Sequence, residues 1–448
     1  MSEHHPALLP SPILDTASEG CEESRLLLSR RAMLGMSAGF FAWAFAPRTA
    51  EAEANQKRLL VVVLRGGLDG LHVAPPVSDP LYLDIRRNFI PAQLEKVDAT
   101  FSLNAEMTNF LRMYKQGDAA LVHGVAPPLR IRSHFECQDN LESGLPAGVR
   151  ATSGWLNRLL SELPRGNPVQ VHGALEIGPK PLILQGPSPV LSWSTNSIPR
   201  SNWARLNTGI ERILGATAPA YNALLQSGIR TDEFARGLSD SLAPTTSGWR
   251  NAFRGAGRLL ASPTGPRIAA LTLSAWDTHE GQMFGLSRDL ATLDQGIGDL
   301  QQTMGAAWRH TVVVCVTEFG RTVRINGTNG TDHGVGTVAF LAGGSVLGNR
   351  VHTRNWAGLS QANLQDGRDL RATIDTRALF KGVLQEHLGL DNALLNRVFP
   401  QSEAVPPLRG LVKSPEPVVA TAGRSQATTG GQRAEAPISQ FRQQQASM

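Results

Sequence analysis

Two kinds of apolar pattern alternate along the chain. Five short runs are continuously apolar: Arg58–Leu64 (RLLVVVL), Ala119–His123, Ile268–Leu273, Thr311–Thr317 and Thr337–Ala342. Runs of this length with no polar face predict strands buried on both sides, as in a parallel sheet covered by helices. Between them the spacing turns helical. Asn104–Gln116 places Met107, Phe110, Leu111 and Tyr114 on one face and stops at Gly117. Leu286, Leu290, Leu293, Ile297, Leu300 and Met304 recur at intervals of three and four, and Thr376–His387 carries Leu379, Phe380, Val383 and Leu384. This alternation predicts an α/β sandwich. The middle, about 166–262, mixes Pro, Gly and Ser with weak helical spacing around Leu206–Leu225, and predicts an irregular insertion flanking the sheet. From 401 to 448 the chain is rich in Gln, Ala, Ser, Thr, Pro and Gly with a single aromatic, Phe441, and predicts a disordered tail.

Composition narrows the class. With 448 residues, 44 Gly, 28 Pro and 18% charged residues, the chain is a loop-rich globular protein, not a collagen, a coiled coil or a disordered chain. Its net charge of +5 is spread without a run of five like charges or a basic–aromatic stripe, so nucleic acid is not an expected partner. Three cysteines, Cys21, Cys137 and Cys315, make no disulfide framework.

The first 54 residues read as an address. Ser29-Arg30-Arg31-Ala32-Met33-Leu34 is a twin-arginine motif, followed by the mildly apolar run Met33–Ala46, which breaks at Pro47. That run is too short to span a bilayer comfortably, so no stable membrane span is expected. Ala50-Glu51-Ala52 or Ala52-Glu53-Ala54 suits a signal peptidase; a surface amphipathic helix is the alternative. The expected partner is the twin-arginine export machinery and the expected location periplasmic or secreted. The signal carries 4 basic and 7 acidic residues, so the remainder has a net charge of +8, mildly favouring anionic substrates.

In parallel sheets, ligands sit beyond the carboxyl ends of the strands, and there the unusual polar residues fall. Asp69 follows the first run. Asp277 and His279 follow the third and, two apart in extended chain, point to one side. Glu318 and Arg321 follow the fourth, and a glycine-rich loop then ends in Asp332-His333. Asp, Glu and His without thiolates suit a hard or borderline divalent cation, Zn, Mn or Ca. Each piece also has a plain reading: a turn former, a hydrogen-bonded loop, or an i,i+3 salt bridge. Ser133 sits at a predicted helix start, where it is either a cap or a nucleophile. His134 reads as a ligand or a base, and Arg132 or Arg321 as an oxyanion clamp or a structural partner.

Taken in order, Leu64-Arg65-Gly66-Gly67-Leu68-Asp69-Gly70, Arg132-Ser133-His134-Phe135, Gly154-Trp155-Leu156-Asn157-Arg158, Trp276-Asp277-Thr278-His279, Thr317-Glu318-Phe319-Gly320-Arg321-Thr322, Gly330-Thr331-Asp332-His333-Gly334 and Arg368-Asp369-Leu370 with Asp375-Thr376-Arg377 resemble a bacterial exported family, domain-of-unknown-function family 1501. The resemblance runs from about Lys57 to Pro400. That family is distantly similar to the alkaline phosphatase and sulfatase superfamily. The resemblance implies an alkaline-phosphatase-like three-layer α/β sandwich with a mostly parallel central sheet over 55–400. It further implies Asp69, Asp277, His279 and His333 as metal ligands and Ser133 near the place of the nucleophile; the residues themselves add Glu318 and Asp332 as candidate ligands and His134 and Arg321 as candidate catalytic groups. Ser133 would attack phosphorus or sulfur. Two departures stand out. Phe319 falls where the superfamily offers a ligating histidine, and Cys137 lacks the Cys-x-Pro-x-Arg setting of formylglycine sulfatases.

The expected function is therefore a metal-dependent hydrolase of phosphate or sulfate esters, acting on a small-molecule or glycan-ester substrate. The alternative is a non-catalytic envelope protein of the same fold that binds glycans or protein partners. Replacing Arg30 and Arg31 by lysine is expected to abolish export; cell fractionation showing the double variant matured outside the cytoplasm would contradict the address.

Overall fold

A strand buried on both faces sends alternate side chains into two different cores. In a computed structural model of the chain, whose described residues are 57–162, 174–177, 181–188, 190–193, 208–210, 212, 248–263 and 265–414, β1 (Arg58–Leu64) does this along its whole length. Leu60, Val62 and Leu64 join one hydrophobic cluster, and Leu59, Val61 and Val63 join another. The expected signal 1–54, most of the insertion 166–262 and the tail beyond 414 lie outside the described residues.

The chain continues through α1 (Gly70–Val73), α2 (Pro80–Arg86), a ribbon of β2 (Leu94–Lys96) and β3 (Ser102–Asn104), α3 (Thr108–Gln116) and β4 (Ala119–Ala126). Then come α4 (His134–Ser143), α5 (Trp155–Glu162), β5 (Ala174–Ile177), β6 (Val190–Trp193) and α6 (Gly248–Ala261). The second half runs β7 (Ile268–Leu273), α7 (Gln282–Met304), β8 (Thr311–Val316), β9 (Thr337–Ala342), β10 (Arg350–His352) and β11 (Ile374–Asp375). It closes with α8 (Thr376–Val383) and α9 (Asn392–Val398). The sheet order is β10-β4-β9-β8-β1-β7-β5-β6, with β11 beside β4. Helices α3, α6 and α7 pack on one face, and α5, α8 and α9 on the other. This is a three-layer α/β sandwich with a mostly parallel central sheet, as expected.

One strand reverses the pattern. β9 runs antiparallel to both β8 and β4, whereas the other sheet pairings are parallel. The chain leaving β8 turns straight back through 317–336 and lacks the helical crossover that a parallel partner needs. One edge of the sheet therefore gathers the carboxyl ends of β1, β4, β7 and β8 together with the start of β9.

Two boundaries differ from the sequence reading. α3 starts at Thr108 rather than Asn104, because 102–104 pair with 94–96. Its exposed N-terminal amides are held by a carboxylate from another helix: Asp294 accepts from Asn109 N at 2.9 Å and Phe110 N at 2.7 Å. The tail expected from 401 does not begin there. Glu386 accepts the backbone N–H groups of Gly410, Leu411 and Val412, and Leu411 is fully buried. Composition could not show these anchors, which lie outside the polar tail itself.

Two buried histidines make the fold acid-sensitive. The Nε2 atoms of His123 and His387 lie 3.1 Å from the Ala74 carbonyl and 2.9 Å from the Arg58 carbonyl, each within donating distance. Burial pulls them down to about 4 and about 3 respectively. Both folded values lie below that of an unfolded histidine, so the stability they contribute is complete above about pH 6.5 and falls as the pH drops towards 4, by about 1.4 kcal/mol per pH unit for each. Denaturant midpoints measured at steps across this range should decline; an NMR titration showing either ring charged above pH 5 would contradict this assignment.

Candidate metal centre

The site edge is assembled from a tight turn upward. After β1, Gly66 adopts φ +132°, and a Cβ there would stand 2.4 Å from Asp277 N. Only glycine allows this approach. The Gly66 amide donates to Glu318 Oε1 at 2.8 Å, so a single residue seats the loops after β7 and β8. Ala275, just before Trp276-Asp277, is held at φ +87°, a strained conformation for a residue with a side chain.

Four side chains converge on this edge. His134, at the start of α4, Asp277, after β7, and His333, ahead of β9, offer ligand atoms within 4.8 Å of one another. His279 Nε2 lies 3.0 Å from Asp277 Oδ1 and 3.0 Å from His333 Nε2, and His333 Nε2 lies 3.3 Å from the same Asp277 oxygen. Two triangles of donors thus share the Asp277–His333 edge. Atoms bound tetrahedrally to zinc at about 2.0–2.1 Å stand roughly 3.3 Å apart, close to the spacing of the His279–Asp277–His333 triangle.

Each imidazole is fixed from outside through its other nitrogen. His134 Nδ1 lies 2.9 Å from Glu318 Oε1, His333 Nδ1 lies 2.9 Å from the Arg132 carbonyl, and His279 Nδ1 lies 3.4 Å from Asp332 Oδ1. With the Nδ1 protons engaged outward, all three Nε2 lone pairs face the Asp277 carboxylate. His134 Nε2 is 3.4 Å from Asp277 Oδ2 and is a buried nitrogen without a hydrogen-bond partner. Carboxylates and carbonyls that orient ligating histidines in this way are the outer layer of metal sites.

The electrostatics agree with these roles. The Glu318 carboxylate raises the basicity of His134, and burial only partly opposes this. Burial pushes Glu318 upward, but hydrogen bonds from His134, Gln138 and the Gly66 amide outweigh it and hold the carboxyl below its ordinary range. Asp277 is likewise raised by burial and lowered more strongly by Arg321, whose Nη1 donates to Oδ1 at 2.7 Å. Burial lowers His333, favouring the neutral form that a metal requires.

Placed against the sequence reading, the residues sort into three groups. Asp277, His279 and His333 lie together, and the side chain of His134 joins them. Glu318 and Asp332, expected as ligands, instead anchor histidines. Glu318 is fully buried, with Oε1 shared by three donors and Oε2 taken by Thr317 Oγ1 at 3.0 Å. Asp69 does not join the cluster. Its oxygens accept from Arg86 Nη1 at 2.6 Å, Arg86 Nη2 at 3.0 Å and Gln282 Nε2 at 2.6 Å, in a fully buried ion pair. Arg86 also donates to the carbonyls of Thr322 and Val323, so Asp69 braces the loop beneath the site. The residue that claims it, Arg86, carries no motif in the sequence and was not foreseen. Ser133 caps α4 in position but makes no capping hydrogen bond with its side chain.

A family model whose description reads "Protein of unknown function (DUF1501)" matches residues 123–399, more than half of the chain. The chain belongs to this family. The match contains every member of the four-residue cluster and begins after Asp69. No curated protein matches the chain. Among solved structures, it is similar to Ps i-CgsB, with TM-score 0.32 and 13% identity over 66% of this chain and 68% of that one. It is similar as well to the C-terminal periplasmic domain of EcEptC from Escherichia coli in complex with Zn, with TM-score 0.31 and 10% identity over 68% and 76%. The lipoteichoic acid synthase LtaP from Listeria monocytogenes gives TM-score 0.31 and 9% identity over 70% and 71%.

Asp69→Asn separates support from ligation. The change leaves the Arg86 charge buried with half its partner, which costs about 3–5 kcal/mol of stability. Metal content per folded molecule should not change. Elemental analysis showing a metal-free but folded Asp69→Asn protein would put Asp69 back among the ligands.

Proposed function

We propose that this member of the family is an exported, metal-dependent hydrolase of phosphate or sulfate esters, with one divalent ion seated on the Asp277–His333 edge. The observation that carries the proposal is the outward anchoring of three Nδ1 atoms while their Nε2 atoms face one carboxylate. In the same cluster, His279 Nε2 and His333 Nε2 stand 3.0 Å apart, close enough to share one ion. The donors are imidazole nitrogen and carboxylate oxygen, which suit zinc or manganese; calcium, also considered from the sequence, takes oxygen ligands, and the histidines argue against it. Either triangle of three protein donors leaves a fourth position open, as hydrolytic zinc sites do.

When bound, the ion would polarise the ester and lower the pKa of an attacking hydroxyl. The chain's own groups fit the remaining roles. Ser133 stands at the positive N-terminal end of α4 with its hydroxyl unspent on capping, which suits the proposed role of nucleophile. Arg321 keeps a positive charge against Asp277, and its Nη2 is buried without a hydrogen-bond partner. Asp277 and His279 are each 42% exposed, so the face that would meet a small-molecule or glycan-borne ester is open to solvent. The +8 charge of the chain after signal removal favours an anionic substrate. The twin-arginine route delivers folded proteins, which suits a cluster drawn from three distant segments, and would take the enzyme to the periplasm or outside the cell. No helix among the described residues is long and apolar enough to cross a membrane.

Phe319 supports a second reading, a non-catalytic envelope protein that keeps the ion to bind glycans or partners. Its ring centroid lies 4.8 Å from those of His134 and His333, filling the place of a further ligand. Assays with phosphate and sulfate esters on zinc- and manganese-loaded protein decide between the two. The enzyme reading expects Ser133→Ala to retain metal and lose turnover by about 10³-fold or more, and His333→Ala to lose both. Metal-loaded, folded protein inert towards both ester classes would leave only the second reading.

A further inference from the structure

The motif Arg368-Asp369-Leu370 has no role in this chemistry so far, yet it touches the cluster. Asp369 is fully buried, far from the cluster in sequence, and its carboxylate is shared by two guanidinium groups. Arg132 donates from Nε at 2.7 Å and pairs through Nη2 at 2.6 Å, while Arg368 donates from Nη1 at 3.1 Å. Both arginines also hold His333. The main-chain carbonyl of Arg132 is the partner of His333 Nδ1 at 2.9 Å, and Arg368 Nη1 donates to the His333 carbonyl at 3.0 Å. Arg132 is, in addition, the residue directly before Ser133 and His134, so the same grip sets the start of α4.

We infer that Asp369 is a positioning residue that fixes His333 as the Nδ1–H tautomer through Arg132 and Arg368 and thereby aims its Nε2 at Asp277. The reason is geometric. A backbone carbonyl selects a tautomer only while the backbone bearing it is held, and Arg132 lies on the loop joining β4 to α4. The Asp369 carboxylate ties that loop to Arg368, whose side chain holds the main chain of His333. One buried negative charge closes a ring of four residues from three segments. The exposed carboxylate Asp366 also bonds Arg132, through Nη2 at 2.8 Å, but it touches neither Arg368 nor His333. It provides the internal control.

The inference rests on the proposed metal reading for its affinity consequence but not for its tautomer consequence, and the test separates them. In metal-free protein, imidazole nitrogen NMR should show wild-type His333 as the Nδ1–H tautomer with a slowly exchanging proton. Asp369→Asn should mix the tautomers and speed that exchange, and Asp366→Asn should leave both unchanged. Should Asp369→Asn fail to fold, Arg368→Gln, at a half-exposed side chain, serves in its place with the same expectation. For zinc measured by chelator competition, the expected loss is about 10–100-fold in affinity for Asp369→Asn or Arg368→Gln, and none for Asp366→Asn. A folded Asp369→Asn protein with the wild-type tautomer and exchange rate overturns the inference, even if it melts earlier. If neither wild type nor variants bind zinc while the tautomer shift still occurs, the positioning role stands and the metal reading fails.

Discussion

An imidazole has two nitrogens and, when neutral, a single proton. Which nitrogen is free to accept is settled by what the other one donates to. In this protein the choice is made three times in the same sense: a buried carboxylate, a backbone carbonyl and a surface carboxylate each take an Nδ1 proton from outside, and three Nε2 atoms are left facing Asp277. The rest of the edge serves that alignment. The sheet supplies the separation and direction of the loops, with four carboxyl ends and one reversed strand meeting on one side. Gly66 brings the loops after β7 and β8 into contact because it has no side chain to keep them apart. The Asp69–Arg86 pair then fixes the floor by engaging the carbonyls of Thr322 and Val323.

Much of this scaffold is legible in the chain. The runs Arg58–Leu64, Ile268–Leu273 and Thr337–Ala342 are strands to the residue, since side chains that enter two cores must be apolar without interruption. Direction is not written in such runs. Thr337–Ala342 looks like its neighbours yet runs against them, because orientation follows from the connection and not from the strand. Asp277 and His279 were legible as a pair from their spacing of two. What stayed hidden is the difference between a ligand and the group that orients one. Asp332 and His333 are adjacent, both polar and both in a glycine-rich loop, and only folding shows one facing the cluster and the other facing His279. Asp69 misled for the same reason: a carboxylate after the first strand is a natural ligand unless a cation has already claimed it, and Arg86 has no mark that announces it.

The family's other motif residues divide along similar lines. Trp155 stacks on Phe380 with centroids 4.5 Å apart, Asn157 Nδ2 donates to the carbonyls of Leu184 and Ser188 at 2.9 Å, and Arg158 Nε donates to that of Val398 at 3.0 Å. These residues secure α5 against the sheet layer and take no part in the cluster. Asp375 accepts from the Arg377 amide at 2.8 Å and pairs with its guanidinium, capping α8. In this chain several motif residues are thus buried polar knots, told apart from the cluster by having every partner inside the fold.

The three anchors are not equally firm, and this gives the site a stiff side and a soft one. Glu318 lies fully buried among donors from β1's turn, α4 and its own strand end, so His134 is held by a group that cannot move alone. His333 is gripped at both its ring nitrogen and its carbonyl. Asp332 is half-exposed, receives His279 at 3.4 Å and shares the same oxygen with Asn326 at 3.0 Å. A long bond to a solvated carboxylate loses less when broken than a short one inside the protein, where no water replaces it. The His279 ring therefore turns at the least cost of the three. With Asp277 it is the most exposed member of its triangle, whereas His134 lies deeper. Under the proposed metal reading, an ion on the Asp277–His333 edge would have a rigid donor on the protein side and an adjustable one on the solvent side, where an anionic group could approach without disturbing the residues that hold it.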